Sequence, residues 1–180
     1  MSNKTNQNSK SKLNSLLNQY DDFLKLKKEK REREKSRREK FAEEFIKIRD
    51  EIIKPVFERI KVEIENRGHK VRIETKEPSW DTEKHLPVEP IISFKLELLT
   101  KDEKYEGRYD STSDLPHLSF ICDSSKNKIW SHESTIGPRH GGHAGSRGKF
   151  AIEQVTEALV ENELMGWLEN LMKDATPSYY

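Results

Sequence analysis

Cys122 is the only cysteine in the chain, so no intrachain disulfide can form and a reducing compartment is expected. No apolar run approaches membrane-spanning length, and the first ten residues are polar, without the apolar centre of a secretory leader. These absences lead to the expectation of a cytoplasmic protein with no membrane partner. Apolar residues make up 32% of the chain and charged ones 36%, so the whole length cannot share one compact core. Catalytic signatures are scarce as well. No Gly-Lys-Ser/Thr closes a properly spaced glycine loop, no nucleophile elbow surrounds a serine, and no cysteine pair offers zinc ligands. Glu74-Thr75-Lys76 has the E-x-K form of metal-dependent nucleases, but a helix stands where a preceding acidic strand residue would have to hold Mg²⁺. A non-enzymatic protein without a cofactor is the expectation.

What is abundant is charge, unevenly placed. Residues 1–40 hold thirteen Lys or Arg and six Asp or Glu, for +7; the total is +1, which leaves −6 for residues 41–180. The run Lys25–Lys40 has no Gly, Pro or β-branched residue, and its residues rank high in helix propensity. Opposite charges recur four apart, at Lys25/Glu29, Glu29/Arg33, Lys30/Glu34, Glu34/Arg38 and Lys35/Glu39. Each such pair contributes about 0.2–0.5 kcal/mol, and several together can hold a solvated helix without a core.

Residues 1–12 read as a disordered tail. Leu13, Leu16, Leu17, Tyr20, Phe23 and Leu24 then fall on a helical stripe that would be marginal alone. Leu13, Leu17, Tyr20 and Leu24 have heptad-like spacing. Arg31, Glu34 and Arg38 stand where the seam would continue, so a long coiled coil is not expected. Residues 13–40 are thus predicted to form a projecting basic helical arm.

After Lys40 the same helix becomes apolar. Phe41, Phe45, Ile48, Ile52 and Val56 form one arc; Ile46, Ile53, Phe57, Ile60 and Ile64 form a second, about 120° away. Two faces suggest two partners, one inside the fold and one outside it. Pro55 predicts a kink or a fresh helix start, and Gly68 a stop.

Beyond Gly68, alternation predicts strands at His69–Lys76, Ile91–Thr100, Leu115–Asp123 and Lys128–Thr135, with short additional strands around Lys104–Tyr109 and at Phe150–Ile152. The stretch between Glu77 and Pro90 reads as an irregular loop. Thr156–Lys173 reads as a helix with Val160, Leu164, Trp167, Leu168 and Leu171 on its apolar face. The predicted fold is α+β: a long N-terminal helix, an antiparallel sheet of about four strands and a C-terminal helix, packed as a two-layer sandwich. The domain would span residues 41–174, including the anchoring part of the long helix, with a loose tail at 175–180.

Three groups of residues are candidates for function. Leu13, Leu17, Tyr20, Leu24, Phe41, Phe45, Ile48 and Ile52 would face a second copy or a larger protein partner. Arg31, Arg33, Arg37 and Arg38, with Arg139, Arg147 and Lys149 of the glycine-rich segment 137–149, would contact an anion or a nucleic-acid backbone. His132, His140 and His143 are weak metal candidates, with Glu133 nearby and no cysteine pair in support. The leading expectation is an interaction or assembly protein acting through its helical arm; the alternative is sequence-tolerant nucleic-acid binding.

Overall fold

The computed structural model describes residues 3–99, 115–137 and 141–176, with side chains from Lys10 onward. Helix α1 (Asn3–Ile48) leads into a π-helical turn at Arg49–Ile53 and then α2 (Lys54–Glu65). Residues 3–12, expected to be a disordered tail, are helical. Nucleating a helix is costly whereas extending one adds a hydrogen bond per residue fixed, so the strong run 25–40 can propagate backwards through weaker sequence. The chain divides into two units, Met1–Glu39 and Lys40–Tyr180.

The first unit is helix throughout its described length. Its large apolar side chains are exposed, and Lys27 Nζ lies 5.9 Å from the centre of the Phe23 ring. Within the charged run, Lys35 and Glu39 pair at 3.8 Å.

In the second unit the π turn corrects the expectation of two apolar faces. Phe41, Phe45, Ile53, Val56 and Phe57 are all buried, and Ile48, Ile52, Ile60 and Ile64 pack against the same cluster. An α-helix turns about 100° per residue, so one residue inserted by a π turn rotates the following face back by about that angle. The two arcs thereby become one, apart from Ile46, which precedes the turn and is half-buried outside the core cluster. Phe41, Phe45, Ile48 and Ile52, expected at a partner interface, belong to this core instead. The Lys54 amide bonds the Arg49 carbonyl, five residues back, which is the wide turn itself. Pro55 follows in the first turn of α2, directly after the wide turn, where the α-helical bonding is already interrupted and a residue without an amide hydrogen is accommodated. Gly68, at φ +91°, ends the helix.

Seven strands follow among the described residues: β1 (Lys70–Lys76), β2 (Ser79–Asp81), β3 (Leu86–Val88), β4 (Ile91–Glu97), β5 (His117–Asp123), β6 (Lys128–Ser134) and β7 (Ala144–Phe150). Five form an antiparallel sheet in the order β1-β4-β5-β6-β7, and β2 pairs with β3 in a separate hairpin. The register aligns Val71 with Leu96, Ile73 with Phe94, Ile92 with Phe120, and Cys122 with Ile129. One face therefore carries the apolar residues. It is covered by α2 and by α3 (Glu157–Ala175), which Thr156 caps by accepting the Leu159 amide. Phe57 meets Phe94 edge-on at 5.2 Å, and Phe94 meets Trp167 at 6.0 Å. The Trp167 indole N–H donates to the Ser134 carbonyl at 3.1 Å, so the ring is buried with its polar atom satisfied.

The sheet has one strand more than expected. β7 runs through the glycine-rich segment, where Gly145 and Gly148 remove the side-chain alternation that marks a strand. Ile152 lies in a 3₁₀ turn rather than a strand. The segment 77–90 contains a hairpin, turned at His85 (φ 53°) and tied by the Asp81 carboxylate accepting the Glu83 and Lys84 amides. Its three-residue strands are too short to show periodicity. The strand expected around residues 104–109 and the tail residues 177–180 lie outside the described residues.

The π turn yields a direct test. Glu51 is exposed, so Glu51→Ala should change stability by no more than about 0.5 kcal/mol. Deleting Glu51 should remove the extra residue and leave an unbroken α-helix that still carries Phe41, Phe45, Ile53 and Phe57 on one face, whereas inserting one alanine after Glu51 adds a second offset and should turn one of these pairs out of the core. Urea unfolding is expected to show a loss of several kcal/mol for the insertion alone, by about 3–5 kcal/mol per displaced aromatic.

Candidate functional site

The glycine-rich segment closes onto α3 through a network of charges. A register shift at Ser131/His132, between β6 and β7, leaves Arg147 as the extra residue of β7. Bulges of this kind redirect a side chain. Arg147 Nη1 donates to Glu133 Oε2 at 2.6 Å and Nε to Glu163 Oε2 at 3.1 Å. Ser131 Oγ donates to the same Glu163 oxygen at 2.7 Å. Gly166 of α3 makes room for the guanidinium, since a Cβ there would overlap Arg147 Nη2. A glycine inside a helix costs about 0.5–1 kcal/mol relative to alanine, and here it admits a half-buried ion pair.

His143 completes the network. Its Nε2 is 2.9 Å from Glu133 Oε1, and its Nδ1 is 3.2 Å from Asp174 Oδ2 near the end of α3. Two ring nitrogens each facing a carboxylate require two N–H donors, which only the imidazolium has. The His143 pKa is accordingly raised, first by the Glu133 hydrogen bond and then, against some loss of solvation, by Asp174. Glu133 is 7% exposed; burial pushes its carboxyl up, but hydrogen bonds from His143, Arg147 and Asn170 hold it below the usual range. Thr135, fully buried, accepts the His143 amide at 2.9 Å and donates to Asp174 at 2.5 Å. Gly142 approaches Thr135 so closely that a Cβ would lie 2.7 Å from the Thr135 carbonyl carbon. The glycines serve tight packing here.

This arrangement takes Arg147 out of the anion reading of the segment. Glu133, Glu163 and Asp174 supply three negative charges against Arg147 and His143, and the Arg147 fork is already occupied by two carboxylates. Lys149 lies opposite Trp130 on the other sheet face and is exposed. Arg139 and His140 lie outside the described residues. Of the three weak metal candidates, the two described ones are not brought together. His132 stacks on His117, ring centres 5.8 Å apart, on the sheet face away from the helices, whereas His143 lies on the helix side. Those two histidines cannot share an ion, and among the described residues no group of three or more His, Cys, Asp or Glu is placed to hold one.

Glu163, Asp174, Asn170 and Thr135 were not anticipated from the sequence. A signal was available: Glu163, Gly166, Asn170 and Asp174 follow a helical stripe beside the apolar one, with a glycine in mid-helix.

The remaining candidates sit on α1. Arg31, Arg33, Arg37 and Arg38 are exposed, as are the other cations of 25–40. Leu13, Leu16, Leu17, Tyr20, Phe23 and Leu24 keep 44–58% of their surface exposed. At about 100° per residue they fall within about 120° of one another, a continuous apolar face on a charged helix. No helix among the described residues is long and apolar enough to cross a membrane. No family model matches the chain, and neither curated proteins nor solved structures match it.

The clasp makes stability pH-dependent. His143, with its pKa raised above 6.5, contributes stability that is complete below that value and lost as pH rises through the folded-state pKa. Glu133, held below 4.5, contributes above that value and loses its contribution as pH falls through its folded pKa. His132 acts in the opposite sense to His143, because burial, then His117, lowers its pKa. The difference in melting temperature between wild type and His143→Gln isolates His143. It should be greatest between pH 4.5 and 6.5 and shrink at alkaline pH.

Proposed function

We propose that the chain is a non-enzymatic interaction or assembly protein, docking to a protein surface through the apolar face Leu13–Leu24 of α1. The observation that supports this is the exposure of that face, with six large apolar side chains aligned at about half their free area. Scattered apolar surface is ordinary, whereas a continuous apolar stripe bounded by polar residues marks a contact surface. The second unit has its own core and does not draw on these side chains. With Phe41, Phe45, Ile48 and Ile52 committed to that core, the interface reduces to Leu13, Leu16, Leu17, Tyr20, Phe23 and Leu24. The charged run 25–40 keeps the helix formed without burying apolar surface.

Leu17→Lys combined with Leu24→Lys tests this reading. Light scattering after size exclusion, paired with pull-down, should show association by the wild type and its loss in the variant, with an unchanged melting temperature for the second unit. A strict monomer at tens of micromolar, from which no partner is recovered, overturns it.

A second reading is supported by the exposure of all ten cations between Lys25 and Lys40, set against four acids. Such a face can lie along a nucleic-acid backbone without reading sequence. Gel-shift titration at two salt concentrations should then show binding that weakens steeply with salt and is abolished by reversing the charges of Arg31, Arg33, Arg37 and Arg38. Binding that is absent at low salt removes this reading.

A further inference from the structure

Resting on the assembly reading, we infer that the face Leu13–Leu24 pairs with the same face of a second copy of this chain, with the two helices antiparallel about a two-fold axis between Asn18 and Gln19. Three features of the helix converge on this orientation.

The first is spacing. Leu13, Leu17, Tyr20 and Leu24 are separated by four, three and four positions, a series that reads the same in both directions. Reversing the second helix about the axis sets Leu13 against Leu24 of the second copy and Leu17 against its Tyr20. Each contact then occurs twice, as an isologous interface requires.

The second is the flank of the seam. Leu13 and Tyr20 occupy d positions and Leu17 and Leu24 a positions, which makes Leu16 and Phe23 g positions and Asn14 and Asp21 e positions. In a parallel pair, g faces the e position five residues further along the other chain. Leu16 would then lie beside Asp21 of the second copy, and Phe23 beside its Lys28. In an antiparallel pair g faces g and e faces e. Leu16 then lies beside Phe23 of the second copy, and Asn14 beside its Asp21, so apolar meets apolar and an amide meets a carboxylate. Leu16 and Phe23 are 55% and 57% exposed, so only the antiparallel orientation covers them with apolar surface.

Charge provides the third argument. Residues 25–40 carry +6, and a parallel pair would set the two runs side by side along their whole length. At about 0.1 M salt the screening length is roughly 10 Å, comparable with the spacing of paired helices, so this repulsion would be felt. An antiparallel pair sends the runs to opposite ends. Each then meets residues 3–12 of the second copy, which carry only Lys4, Lys10 and Lys12, so fewer like charges lie side by side. The repulsion that argues against a parallel pair is thus lessened in its reverse.

Disulfide trapping reads the orientation in the full chain. Cys122 is 1% exposed and burial pushes its thiol pKa up, so it does not compete for oxidant. Separately tagged Leu13→Cys and Leu24→Cys chains are mixed and oxidised. The expected result is that the mixed disulfide, joining position 13 of one chain to position 24 of the other, predominates over the two homodisulfides and increases with protein concentration. Predominant homodisulfides overturn the antiparallel orientation. Unmodified chain that remains monomeric at every concentration overturns self-pairing itself; the assembly reading then survives only if pull-down recovers a different partner that the combined Leu17→Lys and Leu24→Lys variant no longer binds.

Discussion

The folded unit depends on one residue's worth of helical phase. Across residues 41–64 the apolar side chains change face, and a regular α-helix would present them in two directions. The π turn at Arg49–Ile53 absorbs the offset, so Phe45 and Phe57 enter one core. Arg49, only 5% exposed, is held there by Asp50 and Glu77, the nearest contacts at 2.8 Å. A buried guanidinium is tolerable only when its donors are taken up, and the wide turn places it where two carboxylates reach it. Phase, packing and ion pairing are set in one place.

At the far edge of the sheet the problem is different. β7 carries Gly145 and Gly148 and presents few apolar side chains to α3, so burial alone holds it weakly. Polar contacts take over: the bulged Arg147 reaches across to Glu133 and Glu163, and His143 ties the approach to β7 to Glu133 and Asp174. Glu133, the buried carboxylate, would be strongly destabilising without partners, whereas here it is bonded by Arg147 of β7, Asn170 of α3 and His143. Arg147 and His143 of the glycine-rich segment are thereby committed to fastening β7 to its neighbours.

Much of the architecture was readable because it rests on local periodicity. β1, β4, β5 and β6 alternate cleanly, and α3 shows its apolar stripe and its Thr156 cap. The failures have particular causes. The π turn cannot be inferred from two arcs unless a phase slip is weighed against a second binding face, and Pro55 marks the place only ambiguously. β7 is hidden because glycines have no side chain to alternate. The Arg147 clasp joins residues remote in sequence, Glu133 with Glu163 and His143 with Asp174, whose meeting depends on β7 being a strand at all.

The corrected phase also bears on where function can lie. While residues 41–52 counted as an outward face, the partner surface could be spread along most of the helix. Once that face is turned inward, the apolar surface left uncommitted on α1 is concentrated at Leu13–Leu24, with Leu26 beyond it. A helix stabilised by charge pairs needs no apolar stripe to remain helical, and exposed leucines confer nothing on an isolated chain while lowering its solubility. Six large apolar residues held in register on a helix that could do without them make sense as half of an interface. Their palindromic spacing, with apolar residues on one flank and polar residues on the other, is what the proposed pairing with a second copy of the same helix rests on.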